Sequence, residues 1–296
     1  MPDAALRALV TAHIPEAKVL RTVRLSGGVS ADVYRIDLEA DGRAHQSLVV
    51  RVHGPHHNGH PATLEVEILR ALSDLGLCTP RVIALDQSLR FMPHPFVILH
   101  HIDGETCSPT LEDVDRIDTM ARMLEHIHSV PIEGLPSLPA RLDPIPELFD
   151  FLPPDREFDG LRVWLSDSKD TRYDGAMVLL HGDFWPGNLL WKDDQLVGVL
   201  DWEDAAYGDP LSDLACAALE LSYVAGPYGA QRLLGTYEAL RPFDPNRLAL
   251  WQLYVAAAAH HSMAGWGLDP DREAHMRVTA LTTIRAASNL LLSRSR

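Results

Sequence analysis

The chain has 296 residues, 46% of them hydrophobic, which is enough to bury a large core in one or two domains. Its 41 Asp and Glu against 26 Lys and Arg leave a net charge of −15, and this speaks against nucleic acid as a partner, because phosphate backbones are bound by clustered Lys and Arg. No apolar run reaches the roughly 20 residues of a membrane span, the start lacks the basic and apolar regions of a secretory signal, and Cys78, Cys107 and Cys216 show no paired spacing, so a cytoplasmic protein with reduced thiols and no membrane partner is expected.

In chain order, strands are predicted over Val19 to Leu25 and Asp32 to Leu38. The loop between them, Leu25 to Ala31, is a candidate phosphate cover: Gly27 and Gly28 let the backbone approach an anion, and Ser26 and Ser30 offer donors. A Gly-Gly turn between strands is also ordinary hairpin chemistry. Ser47 to Val52 reads as a third strand with one cation, Arg51, inside an apolar β-branched run. Its guanidinium either grips phosphate or carboxylate bidentately or points to solvent, and alternation alone leaves the face open. His53, His56, His57 and His60 share one Gly/Pro loop, which reads as a flexible solvated segment, since zinc ligands usually come from more than one element. A helix follows over Ala62 to Leu75, with Leu64, Ile68, Leu69, Leu72 and Leu75 as its apolar face and Glu65 and Glu67 as candidate partners of Arg51.

The strand-rich part ends near Phe96 to Gly104, and helices dominate from Thr110. Leu111 to His128 follows a Ser-Pro-Thr start and carries an inner stripe of Val114, Ile117, Met120, Ala121, Leu124 and Ile127. Pro131 to Pro154 is proline-rich and reads as an irregular connection carrying part of a substrate lid. A short helix is expected over Leu161 to Asp167 and a buried strand over Val178 to Leu180. Pro186-Gly187 turns the chain, Leu189 to Trp191 runs out, Asp193-Asp194 closes a hairpin, and Leu196 to Leu200 runs back. Later helices cover Pro210 to Val224, Gly229 to Leu240, Pro245 to Met263 and Arg272 to Leu292; Asp213 either anchors the site or caps a helix. The expected organisation is α+β, with a strand-rich N-terminal lobe over residues 1–102 and a helical C-terminal lobe over 103–296.

The chemistry concentrates in HGDFWPGNLLW, His181 to Trp191, and VGVLDWEDAAYGDP, Val197 to Pro210. Asp183 and Asn188 stand five apart and Asp201 thirteen further on, across the predicted hairpin. A carboxylate to accept a hydroxyl proton, an amide oxygen and a second carboxylate on a metal are the parts required to move a phosphoryl group. Gly-Asp alone is common turn chemistry, so the weight lies on the combination. Such oxygen donors suit Mg²⁺, which takes its remaining ligands from water and phosphates. Glu220, Tyr223, Tyr254, His261 and Trp266 are candidate substrate-wall residues or ordinary helix packing. The acidic balance fits a cationic substrate as well as a soluble surface. Two other classes compete: a nucleotide-binding regulator without catalysis, and a metal hydrolase using the HGD carboxylate and the loop histidines.

With LSGGVSADVYRI, LVVRV, LEVEILRALSDLGLCTPRVIALD and PFVILHHIDGE, these motifs make the chain resemble the aminoglycoside phosphotransferase and choline kinase-like enzymes from roughly Leu20 to the last helix. The resemblance implies a protein kinase-like two-lobed fold. It also implies a small-molecule kinase that moves the γ-phosphoryl of ATP or GTP, with Mg²⁺, to a hydroxyl of an aminoglycoside-like antibiotic or a hydroxylated metabolite. By the same resemblance Asp183 is the catalytic base, Asn188 and Asp201 are Mg²⁺ ligands, and Glu203 completes a D-x-E pattern that reaches a metal through water. Arg51, where many members have Lys, forms the phosphate-gripping ion pair with Glu65. Phe96 to Asp103 is the lobe-connecting hinge, whose backbone at His100, His101 and Ile102 holds the nucleotide base. The acceptor, the preferred nucleotide and the oligomeric state stay open.

Overall fold

The computed structural model describes residues 2–25, 31–40, 43–54, 59–107, 109–110, 113–168 and 171–293. Ser26, Gly27, Gly28 and Ser30 of the candidate phosphate loop, together with His56 and His57, lie outside the described residues. In chain order the elements are α1 (Pro2–His13), β1 (Lys18–Leu25), β2 (Asp32–Ala40), β3 (Arg43–Val52), α2 (Ala62–Asp74), β4 (Val82–Asp86), β5 (Phe96–His100) and β6 (Glu105–Thr106). There follow α3 (Val114–His128), β7 (Ala140–Arg141), α4 (Ile145–Phe151), α5 (Asp159–Asp167), β8 (Val178–Leu180), β9 (Leu189–Lys192), β10 (Gln195–Val199) and β11 (Ala206–Gly208). The long helices α6 (Leu211–Leu240), α7 (Pro245–Ser262) and α8 (Pro270–Ser293) complete the chain. Contacts divide it into two units, Met1–Glu105 with Gly134–Ser137 and Leu190–Asp204, and Thr106–Glu133 with Leu138–Leu189 and Ala205–Arg296.

The first unit is built on an antiparallel sheet in the order β1-β2-β3-β5-β4. Along β3 the pleat sends Leu48, Val50 and Val52 into a core with Leu6, Leu9 and Val10 of α1. Period two therefore puts Arg51 on the other face, opposite Val33 of β2 and Val97 of β5. The helix α1, which sequence reading did not foresee, supplies the cover that this sheet face needs. α2 forms where expected but is turned: Glu65, Val66, Ile68, Leu69 and Leu72 are buried, whereas Leu75 is 47% exposed. A charge for Glu65 to meet inside is what allows that rotation. In the β9/β10 hairpin, Asp193 and Asp194 have φ of 48° and 60°, both left-handed as a two-residue hairpin loop requires, and Asp tolerates that region better than most residues.

The second unit packs helices around a small sheet in the order β7-β11-β8. β11 runs parallel to β7 so closely that a Cβ on Gly208 would lie 2.0 Å from the Arg141 carbonyl oxygen. Ile117, Met120, Ala121, Leu124 and Ile127 of α3 are fully buried, and the helix starts at Val114, after Asp113 has taken the Thr110 N–H at 2.7 Å. Ser108, Leu111 and Glu112 lie outside the described residues. The reading of Pro131 to Pro154 as an irregular lid is corrected: β7 and α4 form there, and Ile145, Leu148 and Leu152 join the core of this unit. The two helices expected on either side of Pro227 are present: α6 joins them across a kink at Gly226 (φ 65°, ψ −174°), just before Pro227, where the missing N–H forbids a regular turn. Among the described residues no helix is long and apolar enough to cross a membrane.

Candidate active site

In the first unit, Arg51 is the centre of a buried charge cluster. Its Nη1 lies 3.0 Å from Glu65 Oε1 and 2.8 Å from Asp201 Oδ1, and its Nη2 contacts Glu203 Oε2. Glu67 is exposed, so the choice between the two helix carboxylates falls on Glu65. Burial works against the charge of Arg51, but Glu65, Asp201 and Glu203 together hold the guanidinium firmly protonated. Three carboxylates on one guanidinium leave a local negative excess. Asp201 stands at φ 62°, a left-handed conformation that costs most non-glycine residues about 1–2 kcal/mol and that Asp tolerates better than most. Its position is fixed from both sides: Val199 N–H donates to the Cys78 carbonyl at 2.8 Å, and His60 N–H to the Glu203 carbonyl at 2.8 Å.

Of the loop histidines, His53 does not belong to a solvated segment. His53 is buried, with Nε2 2.9 Å from Glu65 Oε2, and so extends the Arg51 cluster. Among the described residues no three His, Cys, Asp or Glu side chains gather as a metal-binding group. At the predicted hinge, His100 N–H donates to the Arg81 carbonyl at 2.8 Å and His101 N–H to the Ser47 carbonyl at 3.2 Å.

In the second unit the HGD loop is held from below by α6. Asp213, fully buried, accepts the His181 N–H at 2.7 Å through Oδ2 and the Gly182 N–H at 3.0 Å through Oδ1. Gly182 has φ 90°, which a side chain would resist, and that frees the chain to turn both N–H groups onto one carboxylate. Burial pushes the Asp213 carboxyl up, but the hydrogen bond and charge of His128, with His181 and Arg141 near, hold it below its ordinary value. His128 Nε2 lies 3.4 Å from Asp213 Oδ2, and its Nδ1 is 2.6 Å from the Tyr237 hydroxyl, itself buried. His128 and Tyr237 are supporting residues that sequence reading missed. After Asp183 the chain makes a short 3-10 turn, Pro186–Asn188, and the Asn188 Nδ2 donates to Asp183 O at 2.9 Å and to Asp183 Oδ2 at 3.0 Å. With its nitrogen spent on Asp183, the amide presents Oδ1 as an oxygen donor.

Of the candidate substrate residues, Glu220 and Tyr223 lie on the α6 face that also carries Asp213; burial and the charge of Asp183 raise the Glu220 carboxyl, and burial with Glu220 raises the Tyr223 phenol. Tyr254 and His261 form a separate group: the Tyr254 hydroxyl donates to Glu147 at 2.6 Å, and both rings pack on Phe151 of α4. Trp266 is 39% exposed beyond α7.

The donor sets point to phosphate chemistry, and the comparisons with known proteins agree. A family model described as the phosphotransferase enzyme family matches residues 21–251. Viomycin phosphotransferase of Streptomyces vinaceus is 27% identical over 62% of this chain and 68% of its own length. Acyl-CoA dehydrogenase family member 10 of Mus musculus is 27% identical over 55% of this chain, which spans 17% of that larger protein. Among solved structures, a thermostable mutant of aminoglycoside phosphotransferase APH(4)-Ia, in ternary complex with AMP-PNP and hygromycin B, aligns with a TM-score of 0.66 and 15% identity over 95% of this chain and 98% of that one. Choline kinase LicA from Streptococcus pneumoniae aligns with a TM-score of 0.65 and 17% identity over 96% and 99%. The α+β fold is thus the protein kinase-like one of aminoglycoside phosphotransferases and choline kinases, as the sequence motifs led one to expect. The family match covers well over half of the 296 residues, and the chain belongs to the phosphotransferase enzyme family.

Proposed function

We propose that this phosphotransferase moves the γ-phosphoryl group of ATP or GTP to a hydroxyl of a small molecule, either an aminoglycoside-like antibiotic or a hydroxylated metabolite. The observation that carries the reading is the Asn188 amide clasping Asp183 by both its backbone and its carboxylate oxygens, on a loop bolted to Asp213. A carboxylate so fixed can orient the acceptor hydroxyl and take its proton as the new P–O bond forms, with in-line displacement and no covalent enzyme intermediate. Arg51 would grip the α and β phosphates, its fork held by Glu65 and Glu203. The family resemblance assigns Asn188, Asp201 and, through water, Glu203 to magnesium, and side chains of this kind offer the oxygen donors that a hard divalent cation takes. Bound there, magnesium would neutralise charge on the β and γ oxygens.

In this reading residues 1–102 bind the nucleotide and residues 103–296 carry the catalytic loop and the acceptor wall. Ser26, Gly27, Gly28 and Ser30 would cover the phosphates. Because the His100 and His101 N–H groups are engaged, contact with the base falls to Ile102 and the neighbouring carbonyls. The relatives support a nucleotide and a small hydroxylated acceptor: one complex contains AMP-PNP and hygromycin B, and another relative is named for viomycin. Cys78, Cys107 and Cys216 form no disulfide among the described residues, which fits a reducing cytoplasm. A coupled ADP-release assay over aminoglycosides, macrolides, amino alcohols and sugars tests the reading. Acceptor-dependent ADP release is expected from the wild type and not from Asp183→Asn. Nucleotide-dependent thermal stabilisation with no turnover on any acceptor would instead favour a non-catalytic regulator.

A further inference from the structure

The second unit holds a cleft of about 480 Å³ whose wall contains none of the residues assigned to phosphoryl transfer. It is lined by residues 172–174, by residues 209–211 at the start of α6, by residues 241–244 between α6 and α7, and by Arg247 of α7. Its volume lies in the range of sites that take small molecules. Arg247 makes the floor rigid: its Nε donates to Asp209 Oδ2 at 2.5 Å, its Nη2 to the Leu142 carbonyl at 2.6 Å and its Nη1 to the Thr171 carbonyl. The Trp251 indole donates to the same Asp209 oxygen at 2.7 Å, and Asp209 Oδ1 takes the Leu211 N–H at 3.0 Å. Asp209 and Arg247 thus satisfy each other and cancel in charge.

Two other cations of the wall keep donors in reserve. Arg172 is exposed and, among the described residues, has neither a hydrogen bond nor an ion pair. Arg241 gives its Nη2 to the end of α3, where the His128 carbonyl lies at 3.2 Å, Ser129 Oγ at 3.0 Å and Glu125 Oε1 at 3.4 Å. Its Nε is buried without an acceptor, a strong donor taken from water and given nothing in return. Two carboxylates oppose these cations: Asp244, whose Oδ1 accepts the Asn246 N–H and Nδ2 at 3.0 Å each, and Asp174, which is exposed. The remaining wall is aromatic. Phe243 is half-buried, with its ring centroid 6.4 Å from that of Tyr237, and the Tyr173 ring lies 5.8 Å from the Arg247 guanidinium carbon. A neutral ligand would leave the spare N–H donors unpaired, and a bare inorganic anion would leave both rings wet. An organic anion with a flat apolar body answers both needs.

We propose that this cleft is a second ligand site, for a small organic anion whose carboxylate or phosphate is held by Arg172 and Arg241 and whose flat apolar body lies against Tyr173 and Phe243. The site shares no residue with the transfer machinery, so the assignment stands apart from the kinase reading. Calorimetry on the full chain tests it with benzoate and phenyl phosphate, set against benzyl alcohol, which keeps the ring without the charge, and inorganic phosphate, which keeps the charge without the ring. At least one charged aromatic should bind tenfold or more tighter than both controls, and which one does so tells a carboxylate ligand from a phosphate. Arg172→Ala removes an exposed side chain that the fold does not use, and it should weaken that probe about fivefold or more. Phe243→Ala should do the same, and Arg241→Lys, which keeps the charge but loses the fork, should weaken it without loss of fold. Saturating AMP-PNP with magnesium should leave the affinity unchanged, which separates the cleft from the phosphate grip of Arg51. Charged aromatics that bind no tighter than the controls overturn the assignment. So does an affinity that survives in Arg172→Ala or in Phe243→Ala, or a probe that AMP-PNP displaces.

Discussion

Replacing Asp213 by Asn keeps the shape of the side chain and removes its charge, so it isolates what the carboxylate does for the catalytic loop. Two N–H groups, of His181 and Gly182, converge on its two oxygens at 2.7 and 3.0 Å, and His128 lies 3.4 Å away. Asn offers one oxygen and one NH₂. One N–H therefore keeps a weaker, uncharged acceptor, and the other meets a donor in a fully buried place. Losing one charge-assisted bond at about 1.5–3 kcal/mol and leaving one buried N–H unsatisfied at about 1–3 kcal/mol gives an expected loss of about 3–5 kcal/mol. Urea denaturation of wild type and variant measures it, and turnover should fall with it because the peptide before Asp183 is the one released. The pH dependence gives an independent check. The folded Asp213 carboxyl lies below its ordinary value, so its contribution is present above the unfolded value of 3.8 and is lost as pH falls through the lower folded one; the Asn variant should lack that acid limb. A loss under about 1 kcal/mol, with unchanged turnover, would refute the claim that Asp213 holds the loop.

Other substitutions probe the remaining parts. Arg51→Ala leaves Glu65, Asp201 and Glu203 facing one another and should destabilise by about 3–5 kcal/mol in a thermal melt, while Arg51→Lys, which keeps the charge but not the fork, should recover part of it. Gly208→Ala pushes a methyl into the Arg141 carbonyl oxygen, and an overpacking loss of about 1–3 kcal/mol is expected; an unchanged melting temperature would show that β7 yields freely. The folded Glu220 carboxyl is raised from 4.5 to about 7, so the stability it lends is complete below 4.5 and is lost as pH rises through 7. Glu220→Gln should therefore become more stable than the wild type across that window, by up to about 3 kcal/mol at pH 8, and parallel stability curves would contradict this.

What could be read from the sequence was local chemistry. Asp193-Asp194 announces a hairpin because few residues accept two successive left-handed positions, and Asp183, Asn188 and Asp201 stand out by residue type and by their spacing along the chain. Arg51 could be found but not oriented, since the face of a strand depends on which side its sheet covers, and the covering helix α1 was not foreseen. The same ignorance made Leu75 look like core and Glu65 look optional. Pro131 to Pro154 misled because proline was taken as a breaker, while Pro144 and Pro146 begin α4, where the first turn has no use for their missing N–H groups. His128 and Tyr237 were invisible for a different reason: their contact joins residues 109 apart in sequence, and no spacing rule reports it.

The central claim is that Asp183 takes the acceptor proton during direct transfer from a nucleotide. The most direct measurement follows labelled γ-phosphoryl from ATP, with magnesium, into a pool of aminoglycosides and amino alcohols, comparing wild type with Asp183→Asn at equal nucleotide occupancy. The account predicts labelled phosphoester from the wild type and a rate lower by roughly 10²–10⁴-fold in the variant, the range that a positioned general base supplies. Transfer at the wild-type rate by Asp183→Asn, or a wild type that binds nucleotide and never labels an acceptor, would contradict it.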